Sequence, residues 1–410
     1  MLDRPTLRRS IRRLPRAAWL LFGGTFIAKF GSFVIVFLTV YVTRQGYSAA
    51  QAGMALSAYG FGALFSGPLG GWMADRLGRR QAIALSMFAS AAAMLGLSQA
   101  HGLAAILPLA AFAGFTSELY RPAAAALLAD LTPAGQRVPA FAMNRLAVNA
   151  GFAAGPAVGG FLAQHSFFYL FLGNAITSTA FGIIALLALP EGERVPAAAD
   201  GESWVRAVLS HRGFLVFLAG STLGILVLVQ AFSSFALQVT DLFSSAVFGA
   251  LISMNGLLIV FFELPIASVT QRRPPHRVMA LGLLLMGLGF GLTAVAVAIP
   301  ILVVVVVVWT LGEIIFMPVA GAYVADSAPV HLRGRYQGAW SLSFGVAFVL
   351  GPTLGTALYS VGPAALWLSC IAVGGTAALL VLRAPPPSVG SYVVESEAAR
   401  NSAAPRTSPR

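Results

Sequence analysis

Of the 410 residues, 58% are hydrophobic and 10% are charged, against about 25% charged in an ordinary soluble domain. That balance excludes a soluble enzyme or binding module and implies a chain that crosses a membrane many times. The formal net charge of +12 points to nucleic acid only if the basic residues share a soluble element, and the lone Cys370 excludes a disulfide framework or a cysteine-built metal site.

Arg4, Arg8, Arg9, Arg12, Arg13 and Arg16 precede an apolar run from Ala17 to Thr43. The run exceeds the roughly 7–15 residues of a signal-peptide core, so it reads as an uncleaved first span. It holds Lys29, the single lysine of the chain. With about 20 residues per crossing, twelve helical spans are expected, near 17–43, 48–72, 81–100, 103–128, 138–163, 166–189, 212–238, 244–268, 277–298, 300–325, 335–360 and 362–383. Residues 190–211, with Glu191, Glu193, Arg194, Asp200, Glu202 and Arg206, form the one long polar segment inside the chain. The expected organisation is therefore an arginine-rich segment 1–16, a six-helix bundle 17–189, a linker 190–211 and a second bundle 212–383. A Pro-, Ser- and Arg-containing tail at 384–410 reads as disordered.

Loop charge sets the orientation. Arg76, Arg79 and Arg80 follow span 2, Arg137 follows span 4, and Arg194, Arg206 and Arg212 flank the linker. Arg272, Arg273 and Arg277 follow span 8, and Arg333 and Arg335 follow span 10, whereas loops after odd-numbered spans carry only Arg44. This asymmetry puts both termini in the cytoplasm and accounts for the +12 with the lipid bilayer, not nucleic acid, as partner.

The chain also repeats itself. Pro122, Ala129-Asp130, Pro133 and Arg137 recur as Pro318, Ala325-Asp326, Pro329 and Arg333, and Gly155-Pro156-x-x-Gly159 recurs as Gly351-Pro352-x-x-Gly355, always 196 residues later. One offset serving two separated motifs implies a duplicated six-span unit.

Between spans 2 and 3 the chain reads Gly70-Gly71-Trp72-Met73-Ala74-Asp75-Arg76-Leu77-Gly78-Arg79-Arg80. Gly70 and Gly71 would let a helix end lie close to a neighbour, Gly78 permits a tight turn, and Asp75 at a helix end needs a cation or a helix N-terminus. A generic positive loop with an incidental acid is the plainer reading. The pattern nevertheless resembles the loop 2–3 signature of the major facilitator superfamily of secondary transporters, over about residues 15–383. Its counterpart after span 8, Glu263 to Arg277, keeps the arginines and lacks the acid.

The resemblance implies an all-α integral membrane protein of twelve transmembrane helices in two pseudo-symmetric six-helix bundles, with spans 1, 4, 7 and 10 lining a central cavity. It implies that Asp75 meets the N-terminus of span 11 near Arg335–Gly338, and that Arg79 pairs with Asp130. With Gly71, Arg76, Gly78 and Arg80, these would form a conformational latch that holds the outward-open state. Span 5 carries Gly151, Gly155, Pro156, Gly159 and Gly160, which resembles the signature of drug:proton antiporters. Plain helix packing explains the same residues.

Lys29, Glu118 and Glu313 fall near mid-depth, where an isolated charge costs at least about 2.5–3.5 kcal/mol. Arg121 shares a face with Glu118, and Arg145 enters span 5. These five residues are the expected substrate and proton-coupling set. Glu118 reads either as the proton carrier or as a permanent ion pair with Lys29 or Arg121, with Glu313 the second carrier. Glu263 reads as a helix-end contact, and Phe30, Tyr120, Gln230, Trp309 and Phe316 as cavity residues. No catalytic residue, cofactor or metal is expected: there is no phosphate-binding G-x-x-x-x-G-K motif, and the histidines lack metal spacing. The expected function is proton-coupled efflux of a small molecule by a monomer in a bacterial inner membrane. The alternatives are an importer or a transporter of a specific metabolite, an anion among the candidates, and a non-transporting membrane sensor.

Overall fold

The computed structural model describes residues 14–133, 137–192, 208–270, 273–328 and 333–384. The amino-terminal arginines up to Arg13, the centre of the expected linker and the tail lie outside them. Every described element is helical: α1a Arg16–Phe30 and α1b Phe33–Arg44, α2 Ala49–Leu77, α3 Arg79–Ser98, α4a Leu103–Glu118 and α4b Arg121–Leu131, α5 Arg137–His165 and α6 Phe168–Ala188. There follow α7a Arg212–Val229 and α7b Ser234–Leu242, α8 Ser245–Thr270, α9 Pro275–Gly291, α10 Ile299–Ser327, α11 Arg333–Val361 and α12 Pro363–Arg383. These match the twelve expected spans one for one. Eleven are long and apolar enough to cross a membrane. The twelfth, α2, has the length at 29 residues, but its glycines, serines, Asp75 and Arg76 lower its hydropathy.

Three helices break near mid-depth. Between α4a and α4b the cause is Pro122, which has no N–H for the Glu118 carbonyl and whose ring would clash with it. Gly31 ends α1a where a β-carbon would run into Thr177. A single 3-10 turn, Gln230–Phe232, separates α7a from α7b. Gln230 fastens that turn by donating from Nε2 to the Gly351 carbonyl at 3.0 Å, while its Oε1 accepts from Ser233 at 3.0 Å and Ser234 at 3.2 Å.

Packing follows the duplication. In the first half α2 lies on α4, α3 on α6, and α1 on α5 and α6; in the second α8 lies on α10, α9 on α12, and α7 on α11 and α12. The two halves meet along α5–α8 and α2–α11, which the repeat relates to each other. A β-carbon at Gly53 would sit 2.6 Å from the Pro352 carbonyl oxygen, and Gly249, its counterpart 196 residues on, abuts that of Pro156. Gly60 against Phe348 and Gly256 against Ala153 repeat the match to within one residue. So do two hydrogen bonds: the Thr353 amide donates to Ser57 Oγ at 3.2 Å, and the Ala157 amide to Ser253 Oγ at 2.8 Å.

The apolar core shows which way the halves lean. Away from the arginine-bearing loops it is one cluster drawn from both halves, including Phe37, Tyr59, Phe235, Phe248 and Trp309. There Thr39 Oγ1 of α1b donates to the Phe232 carbonyl at 3.0 Å. Toward the arginine-rich face it divides into separate clusters, one around Phe22, Met87, Leu127 and Phe181, the other around Phe214, Met286, Phe316 and Tyr323. The molecule is closed on one face and parted on the arginine-rich one.

Candidate functional site

The mid-depth charges form two groups, not one. In the first half, Lys29 Nζ, in the last turn of α1a, donates to Glu118 Oε1 at 2.7 Å, and Arg121 Nη1 donates to Glu118 Oε2 at 2.9 Å. The Pro122 break makes this possible, because it leaves Glu118 and Arg121 flanking the irregular turn. Lys29 and Glu118 are mostly buried, with side chains 13% and 19% exposed, whereas Arg121 is 66% exposed. Lys29 also lies 6.0 Å from the centre of the Tyr120 ring. Behind the triad, a polar cavity of about 10 Å³ between α1, α2, α3, α4 and α6 touches Lys29, Tyr59, Ser90, Ser117 and Tyr120, room for about one water molecule.

The second group borders a central cavity of about 150 Å³, lined by Asn149 and Phe152 of α5, Phe232 at the α7 break, Asn255 of α8, and Trp309 and Glu313 of α10. Asn255 Nδ2 donates to Glu313 Oε2 at 3.1 Å and to Thr310 Oγ1 at 3.0 Å. Walls from both halves, mostly aromatic and aliphatic, thus surround one carboxyl whose hydrogen-bond partner is an amide.

Arg145 bonds neither Glu118 nor Glu313, but with Glu263 it lies within electrostatic reach of Glu313. Its Nη2 is paired with Glu263 Oε1 across α5–α8, and the Glu263 side chain is 15% exposed. Glu263 is therefore a contact between halves, not a helix-end contact. Of the expected cavity residues, Trp309 faces the central cavity and Tyr120 the small one. Gln230 is spent on the α7 break, Phe316 is fully buried against Gly282, and Phe30 packs on Gly151 and Gly155. Asn255 and Thr310 escaped the sequence reading, since an uncharged polar residue in a span has no signal of its own. The repeat holds a partial one. Asn255 and Glu313 are the counterparts, 196 residues on, of Tyr59 and Ser117, which both line the small cavity.

At the arginine-rich face, Arg79 is 5% exposed. Its Nη1 donates to the Ala74 carbonyl at 3.1 Å and to Asp75 Oδ1 at 3.2 Å, and its Nε lies 3.3 Å from Asp130 Oδ2. Arg80 pairs with Glu191 at 2.8 Å, and Arg76 stacks on the Trp72 ring. Gly78 turns the chain at φ 96°, a conformation that favours glycine. Asp75 is bonded to Arg79 with a side chain 45% exposed; its expected contact with α11 belongs to the conformation in which this face is closed. One expectation needs correction. Gly70 does abut the Leu119 carbonyl, but Gly71 has nothing within 4 Å of a would-be β-carbon.

The span 5 glycines seat α5 on two helices. Gly151 lies against the Phe26 carbonyl, Gly155 against that of Phe30, Gly159 against Phe33 and Phe37, and Gly160 against the Ser245 carbonyl on α8. The Pro156 carbonyl meets Gly249. The motif is a two-sided packing surface.

The sequence profile described as Major Facilitator Superfamily matches residues 21–243 and 213–409. The MFS-type transporter YqjV of Bacillus subtilis (strain 168) is 25% identical over 351 residues, 82% of this chain and 85% of that protein. A Na(+), Li(+), K(+)/H(+) antiporter of Planococcus maritimus is 24% identical over 359 residues, 78% and 84% of the two chains. Among solved structures, a POT family transporter in complex with 5-aminolevulinic acid superimposes with TM-score 0.77 at 17% identity, over 92% of this chain and 97% of that one. With its paired six-helix halves and a profile match that runs through both, the chain belongs to the major facilitator superfamily of membrane transporters.

Proposed function

We propose that this transporter exports a small organic molecule in exchange for protons, by alternating access, with Glu313 as the proton carrier. The observation that carries this reading is the setting of Glu313, a carboxyl at mid-depth that borders the central cavity and is hydrogen-bonded to an amide. Ionised there, it costs at least about 2.5–3.5 kcal/mol unless water, a cation or a proton answers it. A proton and a substrate cation then compete for one site, and the face to which the cavity opens decides which is exchanged. Glu118 has two cations at 2.7 and 2.9 Å and serves as a fixed ion pair, the second of the two roles open to it.

The relationship to a cation/H(+) antiporter and the glycine pattern of α5 support antiport over import. In this reading the arginine-bearing loops and both termini are cytoplasmic, the chain is a monomer in a bacterial inner membrane, and residues 17–189 and 212–383 are the moving bodies. The aromatic walls of Phe152, Phe232 and Trp309 suit a neutral or cationic lipophilic molecule. An anionic substrate is the second reading. It is favoured by the net positive charge of the Lys29–Glu118–Arg121 triad and by the 66% exposure of Arg121.

The test is uptake into inverted membrane vesicles of a panel of organic cations, anions and neutral compounds, with and without an imposed pH gradient. Glu313→Gln is expected to abolish gradient-driven accumulation while leaving substrate–substrate exchange. Wild-type pH dependence in that variant would sink the assignment, and gradient-driven accumulation of anions alone would select the second reading.

A further inference from the structure

The two seams between the halves are duplicates of each other, so their departures from the duplication are informative. On the closed face they agree to within one residue, through Gly53 and Gly249, Ser57 and Ser253, Gly60 and Gly256. Toward the arginine-rich face they diverge. Along α2–α11 the close approach reaches Leu64 against Gly345, beyond which Gly67, Gly71 and Gly338 have nothing within 4 Å of a would-be β-carbon. Along α5–α8 the contact runs on past the cavity to the Arg145–Glu263 ion pair. The counterparts of Glu263 and Arg145 at the 196-residue offset are Gly67 and Ser341, which cannot form an ion pair. One seam is therefore clasped on the parted face and its duplicate is not.

The clasp has a physical consequence. Glu263 is 15% exposed and lies seven residues from the end of α8 at Thr270, roughly 10 Å in from that end. Parting α5 from α8 at this level would separate Glu263 from Arg145 and break a charge-assisted hydrogen bond. Among the residues whose side chains are described, no ion pair joins α2 to α11.

We propose that Glu263 is a positioning residue of the transport cycle: by holding Arg145 it keeps the α5–α8 seam closed as a hinge, so the arginine-rich face opens on the α2–α11 side. The inference rests on the proposed relative motion of the halves and not on which group carries the proton.

Pulsed electron paramagnetic resonance distances on the full-length protein in nanodiscs, in a Cys370→Ala background, test it. One label pair replaces the exposed Phe141 and Val269 on α5 and α8; the other replaces the exposed Trp72 and Leu342 on α2 and α11. The α5–α8 pair is expected to give one narrow distribution and the α2–α11 pair a broad one. Glu263→Gln should broaden the α5–α8 distribution and move it to longer distance, and the charge-swapped Arg145→Glu/Glu263→Arg variant should narrow it again. Equal widths for the two wild-type pairs, or an α5–α8 distribution indifferent to Glu263→Gln, would overturn the proposal. Should the single variant fail to purify, the charge-swapped variant decides: it must reproduce both wild-type distributions. A failed vesicle assay for Glu313→Gln leaves these distances as expected, so the two readings fail separately.

Discussion

Glu118 is the sole anion of a three-member cluster, and its removal should cost far more than removal of either cation. Glu118→Gln leaves Lys29, whose side chain is 13% exposed, without its bond at 2.7 Å, and takes the partner of Arg121 at 2.9 Å. Stranding a buried charge costs about 3–5 kcal/mol, whereas the exposed Arg121 adds less than about 1 kcal/mol because water replaces the carboxylate. Lys29→Met strands nothing, since Glu118 keeps Arg121. It forfeits one charged hydrogen bond, about 1.5–3 kcal/mol, partly offset because no ammonium then has to be desolvated. At roughly 2 °C per kcal/mol for a body of this size, Glu118→Gln should lower the apparent Tm by about 6–10 °C. Lys29→Met should lower it by well under half as much, and the double variant should sit near Lys29→Met. The assay is the unfolding midpoint in one detergent at one scan rate, because unfolding there is rarely reversible. If Lys29→Met fell as far as Glu118→Gln, or if the double variant summed the two, the cluster would not be one anion held by two cations.

Three further variants test the packing and the latch. Gly155→Ala places a methyl against the Phe30 carbonyl and should cost about 1–3 kcal/mol; Gly71→Ala enters open space and should move the midpoint by less than about 0.5 kcal/mol. Asp75→Asn should barely change the midpoint, since Asp75 is 45% exposed here, yet slow substrate exchange if, as the latch reading has it, the acid docks where α2 meets α11 in the opposite conformation. Unchanged exchange would remove Asp75 from the cycle. Ser253→Ala deletes one bond between the halves on the closed face, from the Ala157 amide, and Ser57→Ala deletes two, from the Thr353 amide and Oγ1. At about 1 kcal/mol per bond, the first should raise the population open on that face by about fivefold and the second by more. Distances between labels on the outer ends of α2 and α11 report it, and an effect from one serine alone would show that the two seams do not share the closure.

What could be read from the sequence was depth; what could not was direction around a helix. A crossing needs about 20 apolar residues, so the spans, the arginine asymmetry and the mid-depth position of Lys29, Glu118 and Glu313 were all legible. The duplication was legible too, but only where proline and aspartate made it conspicuous. Gly53 with Gly249 and Ser57 with Ser253 obey the same offset, yet such common residues acquire meaning only once each pair is seen on a seam. Glu118 and Glu313 show the limit. They share a depth and invite treatment as equivalents, but the counterpart of Glu313 is Ser117. One residue turns a side chain by about 100° around the helix, which carries Glu118 to Lys29 while Glu313 meets Asn255. Asp75 marks another limit, because a latch formed in one conformation has no fixed partner to be read. The duplicated residues thus build the frame and its closure, and the charges sit where the halves differ: an anion closed by two cations in one, an amide-bonded acid at a cavity in the other, and an ion pair on one seam of two. A device that moves by rocking equal halves needs such inequality if proton and substrate are to act on one half and be felt by both.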